Sequence, residues 1–384
     1  MMQPPADLNL RQTIEGMPLA FDADAADGLE ATVQFDVSGP EAGIYHLRIA
    51  AGQCTFHTGP AAAPTLTITT PSDVWLQISN GEISGQEALM QGLYTANGDL
   101  SLLLKMDSLF KPTDQVVFEA PAGQRPAGPI PLPGMAWMTV AFLPWMIHWV
   151  TFDLPGVSHW ISVGLPLLLS VLIVGYRLVF NESTLRRTQG ELWLEWGGLG
   201  FFALASVPTV AGDAGFAIWG SVISSVVMGA LWLGTLLFSD TPLSGNYSKW
   251  GYVEALWRNS MFIYPNAVIS LIWGWQFIVA ALVGAAAILL SNLMVVFTVL
   301  RYGLLVPAFI FTSVYQKRAT QLQIADYEAA MGRLRFWAGI GLLAVVGLLL
   351  VTTMPGFDVR SGWLILAGLI VFFGTAVLDS RISS

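Results

Sequence analysis

One cysteine, Cys54, and four histidines stand in a chain of 384 residues. A lone cysteine excludes an internal disulfide framework and suits a reducing compartment. Charge is also scarce: only 11% of residues are Asp, Glu, Lys or Arg, against about 25% in an ordinary soluble domain. This composition argues against a purely soluble globular protein, and the mean hydropathy of +0.61 agrees. Basic residues are scarcest at the front. Residues 1–134 hold 15 acids but 5 bases, a local charge of −10, whereas residues 135–384 hold 11 acids and 12 bases. An acidic front argues against nucleic acid as a partner, because phosphate binding needs clustered Lys and Arg. The start, Met1-Met-Gln-Pro-Pro-Ala-Asp7, offers neither a basic leader nor an apolar core, so no cleavable signal is expected.

Catalytic signatures are lacking too. There is no phosphate-binding glycine loop, dinucleotide fingerprint, nucleophile elbow or HExxH. His46 and His57 fall on strand-like runs at exposed or core-edge positions. His148 and His159 flank a short loop with only Asp153 for company, too little for a metal centre. No catalytic residue, metal site or cofactor is expected.

What the chain has in abundance is long apolar runs. A membrane-crossing helix needs about 20 mainly apolar residues, and eight such runs follow Met135: 135–152, 158–180, 192–211, 214–238, 262–283, 287–314, 336–354 and 362–379. The fifth and sixth are separated only by a turn at Gly284–Ala287. With the N-terminus inside, the inside loops and tail carry Arg186, Arg187, Lys249, Arg258, Lys317, Arg318, Arg333, Arg335 and Arg381, and the outside loops only Arg360. The positive-inside rule thus predicts an eight-helix bundle with both termini cytoplasmic. Trp137, Trp149, Trp160, Trp193 and Trp363 lie near span ends, as an interfacial aromatic belt requires.

Three charges fall within the spans, where each costs about 2.5–3.5 kcal/mol to insert. Arg177 and Glu195 are near enough to a membrane face to snorkel. Arg301, near the middle of the sixth span, is expected to face the interior. It would serve there as a structural buried pair or a functional polar site, unless the span boundary is misplaced. Ala280 and Gly284, four apart, permit close helix packing within the bundle or, as a possible homo-oligomer contact, between protomers.

Ahead of the spans the period changes. Ala31, Val33, Phe35 and Val37 alternate with polar residues, as do Tyr45, Leu47 and Ile49; Leu66 and Ile68 alternate with threonines, and 54–57 is a further short strand. Beyond Thr70 the pattern turns helical. Ser72 or Asp73 can cap a helix carrying Val74, Trp75 and Ile78 that ends at Gly81. Ser84-Gly-Gln-Glu87 has capping-box spacing. A short strand through Leu93 and Thr95 turns at Asn97-Gly98, and Asp99 caps a last helix. That helix is apolar over a wide arc (Leu100, Leu102, Leu103, Leu104, Met106, Leu109, Phe110), which marks a deeply buried element or one wall of an apolar cavity.

The ordered series Ala31–Gly39, Gly43–Ile49, Pro64–Ile68, the capped helix with Trp75, Glu87-Ala-Leu-Met-Gln-Gly92, Asn97-Gly-Asp99 and the apolar helix to Phe110 resembles the sterol carrier protein (sterol-transfer) domain over residues 5–112. The resemblance implies a five-stranded α+β fold whose helices enclose an apolar tunnel for fatty acyl chains or sterols, a binding module without catalytic residues. The residues expected to line it are Trp75, Ile78, Leu89, Met90, Leu93, Leu102, Leu103, Met106, Leu109 and Phe110. A Pro- and Gly-rich linker, 113–134, then leads into a transmembrane domain, 135–384, as an extended tether. Thr241-Pro-Leu-Ser-Gly-Asn-Tyr247 and Asn266–Gly274 are similar to a stretch of bacterial intracellular septation protein A-like membrane proteins, which favours a bacterial inner membrane.

Together these readings describe a membrane-tethered protein that binds acyl, sterol or isoprenoid lipid for local transfer or presentation. In the alternative, the bundle acts as a transporter or cell-envelope scaffold, with the front domain as sensor or docking module.

Overall fold

The structure is a computed structural model, and it describes residues 9–111, 134–180, 192–253, 256–319 and 326–353. The expected linker and the eighth expected span lie outside the described residues, as do Arg186, Arg187, Arg360, Trp363 and Arg381. The chain divides into two compact units, one of residues 1–127, 247–266 and 314–332 and one of the remainder.

The first unit is built on a five-stranded mixed sheet: β1 (Ala31–Ser38), β2 (Gly43–Ala50), β3 (Gln53–Thr58), β4 (Leu66–Pro71) and β5 (Thr95–Gly98), in the order β3-β2-β1-β4-β5. β1 runs parallel to β4, and the other neighbours are antiparallel. Register puts the alternating apolar residues on one face: Val33 opposite Leu47 and Leu66, and Phe35 opposite Tyr45 and Ile68. The β2–β3 turn requires positive φ at both Ala51 (51°) and Gly52 (72°), conformations that suit a tight hairpin. Gly98, at φ 111°, has no room for a side chain, because a Cβ would collide with the Thr65 carbonyl.

Helices α1 (Leu10–Ala20), α2 (Ser72–Ser79), α3 (Gly85–Met90) and α4 (Leu100–Leu109) complete this domain. Ser84 accepts the Glu87 N–H and Asp99 accepts the N–H groups of Ser101 and Leu102, as their spacing predicts. At α2 the expectation needs correction: Pro71 holds the N-cap position without a side-chain cap, and Ser72 is the first helical residue. Burial of Ser72 explains this, since its side chain is turned into the fold. Helix α1, beyond the expected elements, has a local signature. Asn9 and Gln12 form a reciprocal capping box ahead of Leu10, Ile14 and Met17, the spacing of one helical face.

The remainder is mostly helical: α5 (Gly134–Asp153), α6 (His159–Phe180), α7 (Trp193–Ala211), α8 (Ala214–Phe238), the short α9 (Leu243–Ser248), α10 (Ser260–Leu289), α11 (Met294–Gly303), α12 (Leu305–Ala319) and α13 (Tyr327–Thr353). Among the described residues, six helical segments are long and apolar enough to cross a membrane. They are 159–179, 193–211, 214–238, 260–289, 291–316 and 327–350. Helix α5 occupies the first expected span.

Two boundaries differ from expectation. The turn predicted at Gly284–Ala287 lies within α10, and the chain breaks instead at Ser291–Leu293. Three consecutive alanines favour the helix, and Gly284 is needed there for packing rather than for turning. A Cβ at that position would stand 3.2 Å from Val222 and 3.3 Å from Arg301 Nη1. This small-residue face is thus covered by the chain itself. The seventh expected span starts at Tyr327, well before residue 336, because Asp326 caps the helix by accepting the Ala329 N–H at 2.9 Å.

Candidate functional site

The apolar residues of the sheet face and the helices above it form one core. Leu10 and Ile14 of α1, Phe35, Leu47, Leu66 and Ile68 of the sheet, and Leu102 and Leu109 of α4 are all fully buried in it. Trp75 of α2 meets Phe35 edge to face with ring centroids 4.9 Å apart. Most of the residues expected to line a lipid site come together here. Trp75, Leu102, Met106 and Leu109 are buried, and Ile78, Leu89, Leu103 and Phe110 pack partly buried against them.

Met90 and Leu93 do not join this interior: they are 80% and 36% exposed. Helix α3 is only six residues long and presents Ala88 inward, so Met90, two positions on, points outward. Tyr94 takes the inward place expected of Leu93 and anchors it by donating its hydroxyl to the Gly85 carbonyl at 3.0 Å.

The opposite face of the sheet is polar. His46 and His57 stack across β2 and β3 at 5.0 Å, and His46 Nδ1 lies 2.9 Å from the Gly59 carbonyl. Partial burial, then the neighbouring His46 and Arg48 charges, lower the His57 pKa. Cys54 turns the other way, toward the core, where burial pushes its thiol up to about 12.

Helix α1 is held at both ends. Near its C-terminus Phe21 bridges to Phe110, Lys111 donates its backbone N–H to Ala20 at 2.8 Å, and Lys111 Nζ pairs with Asp22 at 3.1 Å. On its outer side Glu15 is 6% exposed and accepts the backbone N–H of Ser260, while Asn259 Nδ2 donates to the Glu15 carbonyl at 3.0 Å. Arg11 stacks over Tyr327 at 4.6 Å and pairs with Glu328 at 3.3 Å. Burial raises the Glu15 pKa, opposed by the Ser260 hydrogen bonds and then by Arg11.

The second unit contains the three charges that fall within the apolar runs. Arg301 lies in the last turn of α11, near the middle of the 291–316 segment as expected, and is 6% exposed. Its guanidinium donates to Asp153 at 3.1 Å, to the Ser221 hydroxyl and carbonyl at 3.0 and 2.6 Å, and to Ser225 at 2.7 Å. Tyr302 donates its hydroxyl to the same Asp153 oxygen at 2.7 Å.

Arg177 and Glu195 do not snorkel. They pair with one another at 3.5 Å, both buried, with the Trp137 indole donating to Glu195 at 2.8 Å and Arg177 stacked on the Trp137 ring. Trp137 and Trp149 are consequently inward-facing, not members of an interfacial belt; Trp149 donates to Ser224 at 2.8 Å. Trp160 is exposed. Among the described residues no group of three or more His, Cys, Asp or Glu could hold a metal ion.

Residues 18–111 match the SCP-2 sterol transfer family, and no residue beyond Lys111 is included in that match. This places the sheet domain among lipid-binding and lipid-transfer folds. No curated protein matches the chain.

Several solved structures are similar to parts of it. Sterol carrier protein 2 like 2 from Aedes aegypti is 21% identical, over 26% of this chain and 93% of that one, with a TM-score of 0.23. A conserved protein of Thermus thermophilus, possibly a sterol carrier protein, is 18% identical over 30% and 92%, with a TM-score of 0.24. An inverting sec-alkylsulfatase from Pseudomonas sp. is 20% identical over 27% of this chain, with a TM-score of 0.24. The chain spans only 16% of that enzyme's length.

Proposed function

We propose that this protein binds a lipid with a long apolar chain (fatty acyl, sterol or isoprenoid) in the interior of its sheet domain, for local transfer or presentation at the membrane its apolar helices cross. The observation that carries the reading is the composition of the interior between sheet and helices. Phe35, Trp75, Leu102, Met106 and Leu109 converge there on elements matching a lipid-transfer family, with no cluster of catalytic groups among them. Binding driven by apolar burial at about 25 cal/mol per Å² is sufficient for micromolar affinity from one long chain after association costs. The protein acts as a binding module, not as an enzyme. The basic loops favour both termini cytoplasmic, and the 241–247 and 266–274 stretches favour a bacterial inner membrane; on this reading residues 1–112 are the lipid-binding domain, 113–134 the linker and 135–384 the membrane domain.

The networks around Arg301 and Glu195 read as staples of the helical bundle, since each buried charge closes on a partner of opposite sign. The test is fluorescent fatty-acid binding to the full chain in amphipol. Saturable binding that Trp75→Ala weakens supports the reading, and no saturable binding overturns it.

A further inference from the structure

Helix α10 is 30 residues long; in its first turn the Phe262 and Ile263 N–H groups bond the Asn259 carbonyl, whereas those of Ser260 and Met261 have no backbone acceptor in the helix. Two side chains serve these two. Asn259, just ahead of the helix, accepts the Met261 N–H at 2.9 Å through Oδ1. The Ser260 N–H goes to Glu15, a carboxylate carried by α1 more than two hundred residues earlier. A negative charge at a helix N-terminus is favoured by the helix dipole, most strongly where water is excluded. Glu15 and the Ser260 N–H are both buried, and the Glu15 main chain is held as well, through Asn259 Nδ2.

The same helix α1 is part of the apolar interior. Leu10 and Ile14 are fully buried in the core shared with Trp75, Leu102 and Leu109. Its end is fastened to the end of α4 through Phe21, Phe110 and the Asp22–Lys111 pair. One rigid element thus has Leu10 and Ile14 on the interior and Glu15 on the start of α10, and a shift of one turn of helix cannot satisfy both. Beyond Glu15, the α1 side facing α13 carries the Arg11–Glu328 pair and the Arg11–Tyr327 stack, so the starts of two apolar helices converge on α1.

We propose that Glu15 is a positioning residue that links occupancy of the lipid site to the N-terminus of helix α10. An occupied interior holds Leu10 and Ile14 in place and with them the Glu15–Ser260 hydrogen bond; loss of that bond lets α1 lift from the interior. The inference rests on the lipid-binding reading above. Linkage makes the effect reciprocal: whatever lipid does to the α10 start, the α10 start does to lipid affinity, by the same factor.

The experiment uses the full chain in amphipol with parinaric acid as the probe. Hydrogen exchange of the 260–263 amides is followed with and without the probe, and probe affinity is measured for the wild type, Glu15→Ala, Glu15→Gln and Ser260→Pro. Proline is tolerated in a first helical turn and removes the backbone donor together with the Ser260 hydroxyl, so Ser260→Pro keeps the test open if Glu15→Ala fails to fold. Expected are exchange at 260–263 slowed about fivefold by the probe, affinity weakened about fivefold in Glu15→Ala and Ser260→Pro, and affinity near wild type in Glu15→Gln, whose amide oxygen still accepts the N–H. Binding without a change in exchange at 260–263 overturns the inference while leaving the lipid-binding reading standing. So does wild-type affinity in folded Ser260→Pro, or an equal loss in Glu15→Gln and Glu15→Ala. Absence of saturable probe binding by the wild type overturns both.

Discussion

Trp75 and Phe35 meet edge to face, 4.9 Å between centroids, and join helix α2 to the middle strand of the sheet. Both rings are buried in the core that a lipid-site reading draws on. Replacing Trp75 by Ala is expected to destabilise the domain by about 3–5 kcal/mol, the usual range for truncating a large buried aromatic, and to weaken lipid binding. Met90→Ser, at a position 80% exposed, is expected to leave stability within about 0.5 kcal/mol and binding unchanged. Thermal unfolding and probe titration of the two variants check this contrast.

Cys54 provides a chemical reporter of the same interior. Its thiol, pushed up to about 12 by burial against the core, carries almost no thiolate at neutral pH. Alkylation by iodoacetamide at pH 7.5 is therefore expected to run at least ~100-fold slower than for a free cysteine of pKa about 8.5, and to recover on denaturation. A rate comparable to that of a free thiol would place Cys54 outside the core.

Breaking the Arg301–Asp153 pair leaves either a buried guanidinium or a half-buried carboxylate without its counter-charge. Asp153→Ala is expected to cost about 3–5 kcal/mol and Arg301→Ala less, whereas the double variant Arg301→Leu/Asp153→Leu should cost less than the sum of the two single losses. Unfolding temperatures in detergent for the single and double variants measure the coupling. Strict additivity would show that the two side chains do not act as a pair.

Glu15 gives a pH signature. Burial holds its carboxyl above the usual carboxylate range, so the folded chain takes up this proton before the unfolded chain does. The stability it contributes therefore grows as pH falls from neutral through the raised pKa, and is complete below the ordinary glutamate value of about 4.3. Relative to Glu15→Gln, the wild type should gain stability on acidification over that window. Parallel pH profiles for the two proteins would contradict it.

Much of the fold was legible because local chemistry and tertiary environment agree. The alternation at Ala31–Val37 and Tyr45–Ile49 became strands β1 and β2, and Ser84 and Asp99 cap the helices they precede. Local pattern misleads where a distant partner decides the outcome. Glu195 and Arg177 look like interfacial residues when measured along their own spans, but their pairing crosses from α6 to α7 and recruits Trp137 from α5. Gly284 resembles a turn residue until Val222 and Arg301 are seen beside it. Of the site, the apolar arc of α4 was readable from its periodicity, but the inward choice of Tyr94 over Leu93 depends on a hydrogen bond to Gly85. The role of Glu15 depends on a partner 245 residues away, which no local pattern encodes.

Native mass spectrometry of the full chain with its retained lipids tests the central claim most directly. The account predicts one lipid bound per chain that survives removal of annular lipid and is lost in Trp75→Ala. Retained lipid unaffected by Trp75→Ala in the folded protein, or no retained lipid at all, would contradict it.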